Sequence, residues 1–185
     1  MADKLLNSDN HVFLAVYRIP VANQGSIRTM SFIWCDYNPD TTDFIENWLD
    51  NSAVESTGLD EGFRAFYEYW ASEDGFVVGE NFWCKVISEN GKPVAVIAFC
   101  LHEHTILIME MVVDPQERGR GVGTQLLKEL LGDKEMIGFV IQKSDAVIFP
   151  SNIASQKAFE NAGYQYHHTY EDGTAMYYVY EGSSE

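Results

Sequence analysis

Short apolar stretches recur along the chain, some continuous and some alternating with polar residues, and they predict a sheet with interspersed helices. Runs rich in β-branched and aromatic residues predict strands over 11–17, 27–34, 76–88, 94–101, 106–113, 145–149, 164–170 and 175–180. Apolar residues spaced three and four apart predict four helices, over 39–51, from Phe63 to near Gly75, over 123–131 and from about Asn152 to Gly163. The segment 133–144 fits either a short strand or a helical turn.

Three short polar stretches punctuate this pattern. Asn90-Gly91 and Asp172-Gly173 are turn dipeptides between apolar runs and predict two hairpins. His102-Glu103-His104 connects two predicted strands. A His-x-His pair is able to bind metal, but no third ligand stands nearby in the sequence, so we expect an exposed turn and no metal site.

The most informative stretch is 106–131, which reads as strand, glycine loop and helix. Ile106 to Val113 is apolar except at Glu110, which is typical of a central strand with both faces covered. Pro115 ends the strand, and the loop Arg118 to Gly123 carries glycine at alternate positions. A helix follows at once, so the loop lies at a helix N-terminus, where free backbone N–H groups favour a phosphate or pyrophosphate.

Two rival nucleotide motifs fail on spacing. A Walker loop requires Gly-Lys followed by Ser or Thr, which the loop lacks. A dinucleotide fingerprint requires glycines spaced G-x-G-x-x-G, but position 124 is Thr. Neither of these two nucleotide motifs therefore accounts for the loop.

Two motifs together resemble the GCN5-related N-acetyltransferase (GNAT) family. Arg118-x-x-Gly121-x-Gly123, after an apolar strand that ends Val113-x-Pro115, resembles the family's acetyl-CoA loop. Downstream, the second motif is matched at its spacing by Asn152, Ser155, Phe159, Gly163 and Tyr164. The resemblance covers about the last hundred residues well and the first seventy-five only loosely.

The resemblance implies an α/β (α+β) fold of GNAT type, a mixed, mostly antiparallel central sheet of about six to seven strands flanked by about four helices. We expect one acetyltransferase domain over 1–185. In it, 1–75 supplies the acceptor side, 76–131 the hairpin, central strand and acetyl-CoA loop, and 132–185 the second-motif helix and C-terminal hairpin.

Composition and net charge limit the classes of partner that we expect for the chain. With 185 residues, 46% of them hydrophobic, the chain is long enough for one globular domain. Twelve basic against 28 acidic residues give a net charge of −16, which argues against nucleic acid or an anionic membrane as partner. No apolar run is long enough to span a bilayer, and Met-Ala-Asp-Lys does not begin a signal peptide, so we expect a cytoplasmic protein. Three widely spaced cysteines indicate reduced thiols.

The resemblance also implies how acetyl-CoA would be held. Amides of the loop would bind the pyrophosphate, the pantetheine arm would pair with the edge of the central strand, and the second motif would approach from across the gap. The cofactor-binding residues so implied are Met111, Val112, Val113, Arg118, Gly119, Arg120, Gly121, Val122, Gly123, Thr124, Asn152, Ser155 and Phe159. Asn152 fits equally well as a helix cap.

Acyl transfer to an amine needs a base and, in many members of the family, an acid. Glu110 is the candidate general base, because burial in an apolar strand would raise its pKa; pairing with a cation or exposure to water is the structural alternative. The family often has Tyr where this chain has Phe159, which cannot donate a proton. Tyr164 is the candidate acid, with Tyr166, another hydroxyl or water as alternatives. Asp145 is a second-choice carboxylate, expected to face solvent.

Residues 36–74 hold eleven acidic side chains and one basic one, Arg64. They are either a solvated helical surface or part of an amine-binding wall with Trp48, Tyr67 and Trp70, as the family places its acceptor site there.

The leading hypothesis is an N-acetyltransferase that moves acetyl from acetyl-CoA to a small cationic amine by direct attack in a ternary complex, since no cysteine sits in a nucleophile constellation. A protein amino group is an alternative acceptor. Two other classes stay open: an acyl-CoA-binding module with little or no catalysis, and a nucleotide-binding regulator. A homodimer is compatible with either of the first two.

Overall fold

The computed structural model describes residues 32–72, 82–132 and 141–182. These residues form a seven-stranded mixed sheet with the order β1-β2-β3-β4-β5-β7-β6. The strands are β1 Phe32–Asp36, β2 Phe82–Glu89, β3 Lys92–His102, β4 Thr105–Val113, β5 Lys143–Ile148, β6 Gln165–Thr169 and β7 Met176–Glu181. The predicted α/β architecture, a mixed and mostly antiparallel sheet of six to seven strands, is confirmed.

Four α-helices lie within the described residues, namely α1 Asn51–Thr57, α2 Phe63–Ala71, α3 Val122–Gly132 and α4 Ile153–Ala162. Two 3₁₀ helices, Asp43–Trp48 and Pro115–Glu117, complete the set. None of these helices has the length and apolar composition that a membrane span requires.

Every neighbouring pair of strands is antiparallel except β4 and β5. Those two run parallel and are paired only from Thr105 with Lys143 to Ile108 with Ala146. Beyond Ile108 the rest of β4 continues to pair with β3 but not with β5. The sheet therefore splits along one line and leaves a cleft between its two parts.

Two hydrophobic clusters cover opposite faces of the sheet. The larger cluster joins the sheet to α3 and α4 through fully buried residues such as Leu126, Leu127 and Leu130. The smaller joins β2, β3 and β4 to the helical segment 43–71 through Ile45, Trp48 and Phe63. Burial of a large apolar side chain contributes about 1.5–3 kcal/mol, so these two layers hold the cleft walls in place.

The prediction of one continuous helix over 39–51 is wrong. A turn occupies its first residues, in which Asn38 Oδ1 accepts a hydrogen bond from the N–H of Asp40 at 2.9 Å, and a 3₁₀ helix follows. Helix α1 then begins where the prediction ends, because Asp50 caps its N-terminus. Side chains that bond to nearby backbone compete with a continuous helix, which explains the interruption.

The hairpins are confirmed. Asn90 and Gly91 both have positive φ, 52° and 79°, as a tight two-residue turn requires. His102 pairs with Thr105 across the exposed Glu103-His104 turn, as expected. Strand β5 begins two residues before its predicted start. The predicted strand 11–17, residues 27–31 and 76–81, the end of the second helix near Gly75 and residues 133–140 lie outside the described residues.

Candidate active site

The cleft between β4 and β5 opens at a bulge in β4. Ala98 of β3 pairs with Glu110, whereas the next residue, Phe99, pairs with Ile108, so Met109 is an extra residue with no partner. A bulge of this kind bends a strand and redirects the side chains beside it. The bulge places Glu110 on the same face of the sheet as its partner Ala98, which belongs to the smaller cluster, while Ile108 belongs to the larger one.

Glu110 stands at the inner end of the cleft with an altered acidity. Its Oε1 accepts a hydrogen bond from the backbone N–H of Met111 at 2.9 Å, and this bond favours the ionised form. Desolvation acts more strongly in the opposite direction and raises the pKa of the carboxyl from 4.5 to about 7. No ion pair to Glu110 occurs within the described residues. The cation-paired alternative from the sequence therefore does not apply there.

The glycine loop has the backbone that its sequence suggested. Gly119 and Gly121 have φ of 76° and 84°, in the region that residues with a side chain adopt at a cost, and no atom lies within 4 Å of where a Cβ would stand. At Gly123 a Cβ would lie 3.2 Å from Met111 Cε, so glycine there permits close approach of α3 to β4. The loop leads directly into the N-terminus of α3.

A groove of about 740 Å³ runs along this loop. Its walls come from the end of β4, the glycine loop, the start of α3, and one side of α4, with contributions from Ala53 and Thr57 of α1. A second, smaller cavity of about 120 Å³ contains Glu110. The two cavities share the lining residues Thr57, Met111, Asn152 and Ser155, so they adjoin each other, and the pair is referred to below as the channel.

The two loop arginines point in different directions. Arg118 lines the groove, and its guanidinium donates to Asp50 Oδ2 at 2.8 Å and to the carbonyl of Trp48 at 2.9 Å. Arg120 pairs instead with the carboxylates of Glu117 and Glu89. Arg120 thus neutralises acids beside the loop. Its guanidinium was predicted to contact a phosphate, but it points toward these two carboxylates and does not line the groove.

The second motif lies along the facing side of α4. Asn152 Oδ1 accepts from the N–H of Ser155 at 3.0 Å, which gives Asn152 the capping role that the sequence allowed. Asn152 and Ser155 line both cavities. Phe159 lines the inner cavity, and its ring packs edge-on against Tyr164 with centroids 4.8 Å apart.

Tyr164 lies away from the channel. Its hydroxyl is hydrogen-bonded to Ser144 Oγ at 2.7 Å, and burial raises the pKa of the phenol well above its usual range. Neither Tyr164 nor Tyr166 is among the residues that line the two cavities. The hydroxyls that do line the inner cavity belong to Thr57 and Ser155.

Asp145 differs from its expectation as a solvent-facing carboxylate. Only 15% of its side chain is exposed, and its Oδ2 pairs with Lys143 at 3.0 Å. Its Oδ1 is buried without a hydrogen-bond partner within the described residues. Strand β5 carries it opposite Leu107, before the point where the sheet splits.

The aromatic residues proposed for the acceptor side pack mainly against one another. Trp48 is buried against Phe44, Tyr67 packs on Tyr37 at 4.6 Å, and Trp70 contacts Tyr69. Trp48, Tyr67 and Trp70 line neither of the two cavities.

Several nearby acids also have structural partners. Glu46 accepts from the N–H groups of Phe63 and Arg64 at 3.1 and 2.7 Å, and Asp43 pairs with Arg64 at 2.5 Å. Asp36 pairs with Lys85 at 2.5 Å. Glu46 and Asp43 thus contact the start of α2, and Asp36 pairs across β1 and β2, so the number of acids alone does not argue for an amine site.

Sequence reasoning did not assign nine of the groove-lining residues to the site, namely Ala53 and Thr57 of α1 together with Glu117, Ser151, Ile153, Ala154, Lys157, Ala158 and Asn161. Lys157 falls between two second-motif positions, Ser155 and Phe159, so helical spacing was the available signal for it. No comparable signal existed for α1, whose place depends on tertiary contacts.

Other chemistries find little support in the described residues. No group of three or more His, Cys, Asp or Glu side chains there is arranged to hold a metal ion. Cys84 and Cys100 are buried, and burial raises the pKa of both thiols, that of Cys100 to about 11. Thiols with raised pKa values are poor nucleophiles near neutral pH.

Comparisons with known proteins agree with this geometry. The model of the acetyltransferase (GNAT) family matches residues 32–164. The chain is 32% identical over 87 residues to L-2,4-diaminobutyric acid acetyltransferase of Virgibacillus pantothenticus, covering 42% of this chain and 54% of that protein. It is 35% identical over 86 residues to the protein of the same name from Halalkalibacterium halodurans, covering 45% and 44%. The chain thus spans about half the length of these curated relatives.

Solved structures show the same fold. An aminoglycoside acetyltransferase in complex with coenzyme A superposes with a TM-score of 0.63 at 19% identity, covering 82% of this chain and 95% of that one. The ribosomal-protein-S18-alanine N-acetyltransferase of Escherichia coli gives a TM-score of 0.54 at 19% identity, covering 83% and 96%. These superpositions show that the chain has the fold of solved acetyltransferases. The chain belongs to the acetyltransferase (GNAT) family.

Proposed function

We propose that the chain is an N-acetyltransferase that transfers acetyl from acetyl-CoA to a small primary amine. The observation that carries this proposal is that the groove along the glycine loop adjoins the cavity that contains Glu110. A volume of about 740 Å³ falls within the range of cofactor and ligand sites, roughly 300–1,000 Å³.

The cosubstrate fits the residues of the channel in three places. Free N–H groups at the start of α3, next to Gly119 and Gly121, suit the pyrophosphate, and Arg118 and Lys157 add positive charge along the groove. The β4 edge beyond Ile108, left unpaired by β5, suits the amide groups of the pantetheine arm. The inner cavity, lined by Met109, Met111 and Phe159, suits the thioester end.

Glu110 is the base in this proposal. An alkylammonium with a pKa of about 10.4 has to lose a proton before its nitrogen attacks the thioester carbon. A carboxyl with a pKa of about 7 narrows the gap between the two pKa values from roughly six to roughly three and a half, which lowers the cost of transfer by about 3 kcal/mol. The C–N bond then forms, the C–S bond breaks, and CoA leaves as its thiolate.

A small amine is the proposed acceptor because of the relatives. The two curated proteins that the chain resembles are named for L-2,4-diaminobutyric acid, which carries primary amines. The inner cavity, of about 120 Å³, is compatible with an acetyl group beside a slender amine. We propose no particular compound.

One observation favours a second function, an acyl-CoA-binding module with little catalysis. Phe159 lines the inner cavity, and among the described residues no tyrosine, Tyr164 and Tyr166 included, lines either cavity to protonate a leaving thiolate. Thiolates of CoA leave without such help when water reaches them, and this candidate therefore stays second.

The first experiment is a titration with acetyl-CoA and CoA, followed by thermal unfolding. A ligand at 100 times its Kd adds about 2.7 kcal/mol to the free energy of unfolding. A panel of primary amines, including L-2,4-diaminobutyrate, a polyamine, an aminoglycoside and a peptide N-terminus, is then tested for acetylated product by mass spectrometry. Binding with turnover of a small amine supports the proposal. Binding without turnover of any amine supports the second function, and absence of binding contradicts both.

A further inference from the structure

Helix α1 lies across the opening of the cleft and is held at its N-terminus by a single carboxylate. Asp50 Oδ1 accepts from the N–H of Ala53 at 2.8 Å and so caps the helix. Asp50 Oδ2 pairs with the guanidinium of Arg118 at 2.8 Å. One side chain therefore joins the start of α1 to the residue that begins the glycine loop.

Arg118 completes this junction through two backbone groups. Its Nη2 donates to the carbonyl of Trp48 at 2.9 Å, and its Nε donates to the carbonyl of Val113 at 3.2 Å. Val113 is the last residue of β4, and Trp48 ends the 3₁₀ helix before α1. The fork of the guanidinium thus ties the central strand, the glycine loop and the helical layer together.

The other end of α1 reaches the opposite side of the cleft. Thr57, its last residue, lines both cavities. Gly58 follows with φ of 75°, and a Cβ there would lie 3.7 Å from the ring of Phe149, just after β5. Helix α1 therefore spans from the β4 side to the β5 side, above the channel.

Helix α1, with seven residues, is too short to be stable without contacts to the rest of the domain. Isolated helices of this length are unstable in water, and Ala53 is the one residue of α1 that is buried among those whose side chains are described. The position of α1 depends on its anchors, and the Asp50–Arg118 pair is the anchor on the cofactor side.

We infer that Asp50 is a positioning residue, which through Arg118 holds α1 over the channel so that the acceptor amine meets a formed site. The inference rests on the proposed function. The cosubstrate keeps most of its contacts without α1, from the loop amides, the β4 edge and α4. The acceptor enters beside the inner cavity, which has a volume of about 120 Å³ against about 740 Å³ for the groove, so a displacement of Thr57 alters a larger share of the space that the acceptor uses.

The test uses Asp50→Asn, which keeps a capping oxygen but removes the charge that pairs with Arg118. Arg118→Lys keeps the positive charge and loses the fork, and the double variant completes a cycle. Glu55→Gln is the matched control, because it removes one negative charge from an exposed position of the same helix. The readouts are the acetyl-CoA Kd by calorimetry, the KM of the acceptor, kcat, and the unfolding midpoint.

We expect Asp50→Asn to raise the acceptor KM about 5- to 20-fold, with the acetyl-CoA Kd changed less than 3-fold and the unfolding midpoint within about 2 °C. The double variant should be no worse than the more impaired single variant, and Glu55→Gln should match the wild type. Equal losses in both affinities, or additive effects in the cycle, would overturn the inference while leaving the proposed function intact. A wild-type protein that binds no acetyl-CoA would instead contradict the proposed function.

Discussion

The carboxylate of Glu110 bonds to the backbone N–H of the next residue, Met111, 2.9 Å away on the cleft side of β4. This bond is too weak to offset the burial of the carboxyl, whose pKa is about 7. A carboxyl with this pKa is ionised in about half of the molecules at neutral pH.

The first prediction concerns the pH dependence of turnover. Because Glu110 acts as a base only when ionised, kcat/KM should rise with pH and level off above a pKa near 7. Glu110→Gln should lower kcat/KM at pH 8 by about 10²- to 10³-fold. Steady-state kinetics between pH 5.5 and 9 measure both. A loss below threefold in Glu110→Gln would dismiss the base role.

The second prediction concerns stability. The pKa of Glu110 is higher in the folded state than in the unfolded chain, so between about pH 4.5 and 7 the folded state binds the extra proton and stability falls as pH rises. Glu110→Gln removes this cost and keeps an oxygen for the Met111 N–H. We expect it to add on the order of 1–3 kcal/mol at pH 8 and much less at pH 4.5. Urea unfolding at the two pH values provides the test, and an equal effect at both would contradict the assignment of a raised pKa.

The third prediction concerns the glycine loop. Gly121→Ala forces a side chain into φ of 84°, at a cost of about 1–2 kcal/mol, and adds a methyl group beside the loop amides. We expect lower stability and at least 10-fold weaker acetyl-CoA binding by calorimetry. Gly132→Ala is the control, since it lies in α3 with open space around its Cβ position and should be neutral or stabilising. Unchanged binding in Gly121→Ala would place the pyrophosphate elsewhere.

The fourth prediction concerns Glu46, an acid that the sequence offered to an amine. Both of its oxygens accept N–H groups at the start of α2, so Glu46→Ala should destabilise the protein by about 1–2 kcal/mol. The amine KM should change less than twofold when stability is sufficient for the assay. Glu68→Ala, at an exposed position of α2, should leave both quantities unchanged. If Glu46→Ala raises the amine KM without a matching loss of stability, the result would contradict a purely structural role and indicate that Glu46 binds the acceptor.

The fifth prediction concerns Phe159. Its ring lines the inner cavity, so Phe159→Tyr places a phenol beside the thioester end of the channel. If protonation of the departing thiolate limits turnover, kcat should rise several-fold and the pH profile should gain a falling limb near pH 10, the usual pKa of a phenol. Phe159→Leu is the control for altered packing. A profile unchanged in Phe159→Tyr would show that the leaving thiolate needs no side-chain acid.

Local chemistry is the part of this protein that its sequence predicts well. The turn at Asn90-Gly91 and the helix end at Gly163, with φ of 106°, depend on residues that tolerate positive φ and are therefore readable in short windows. The lone acid in an apolar strand was likewise visible, and the raised pKa of Glu110 follows from its burial.

The remaining features depend on distant partners. Glu46 meets the N–H of Arg64 eighteen residues away, and Arg118 meets Asp50 across sixty-eight, so nothing near these acids in sequence shows that they are structural. The direction of Arg120 and the split of the first predicted helix have the same origin. Sequence spacing predicts which residues share a face, whereas the choice of ion-pair partner is made by the folded chain.

The short β4–β5 ladder has a consequence for the mechanics of the domain. Strands β1–β4 and strands β5–β7 are two blocks of sheet whose backbone junction within the described residues is short. It comprises the four residue pairs between Thr105–Ile108 and Lys143–Ala146 and the hydrogen bonds that the N–H groups of Gln142 and Lys143 donate to the carbonyl of His104. An extended molecule bound along the unpaired part of β4 would bridge the two blocks and restrain their movement relative to each other. When such a molecule is bound, we expect the amide protons of β5 and β7 to exchange more slowly with solvent, including those of residues that the molecule does not contact.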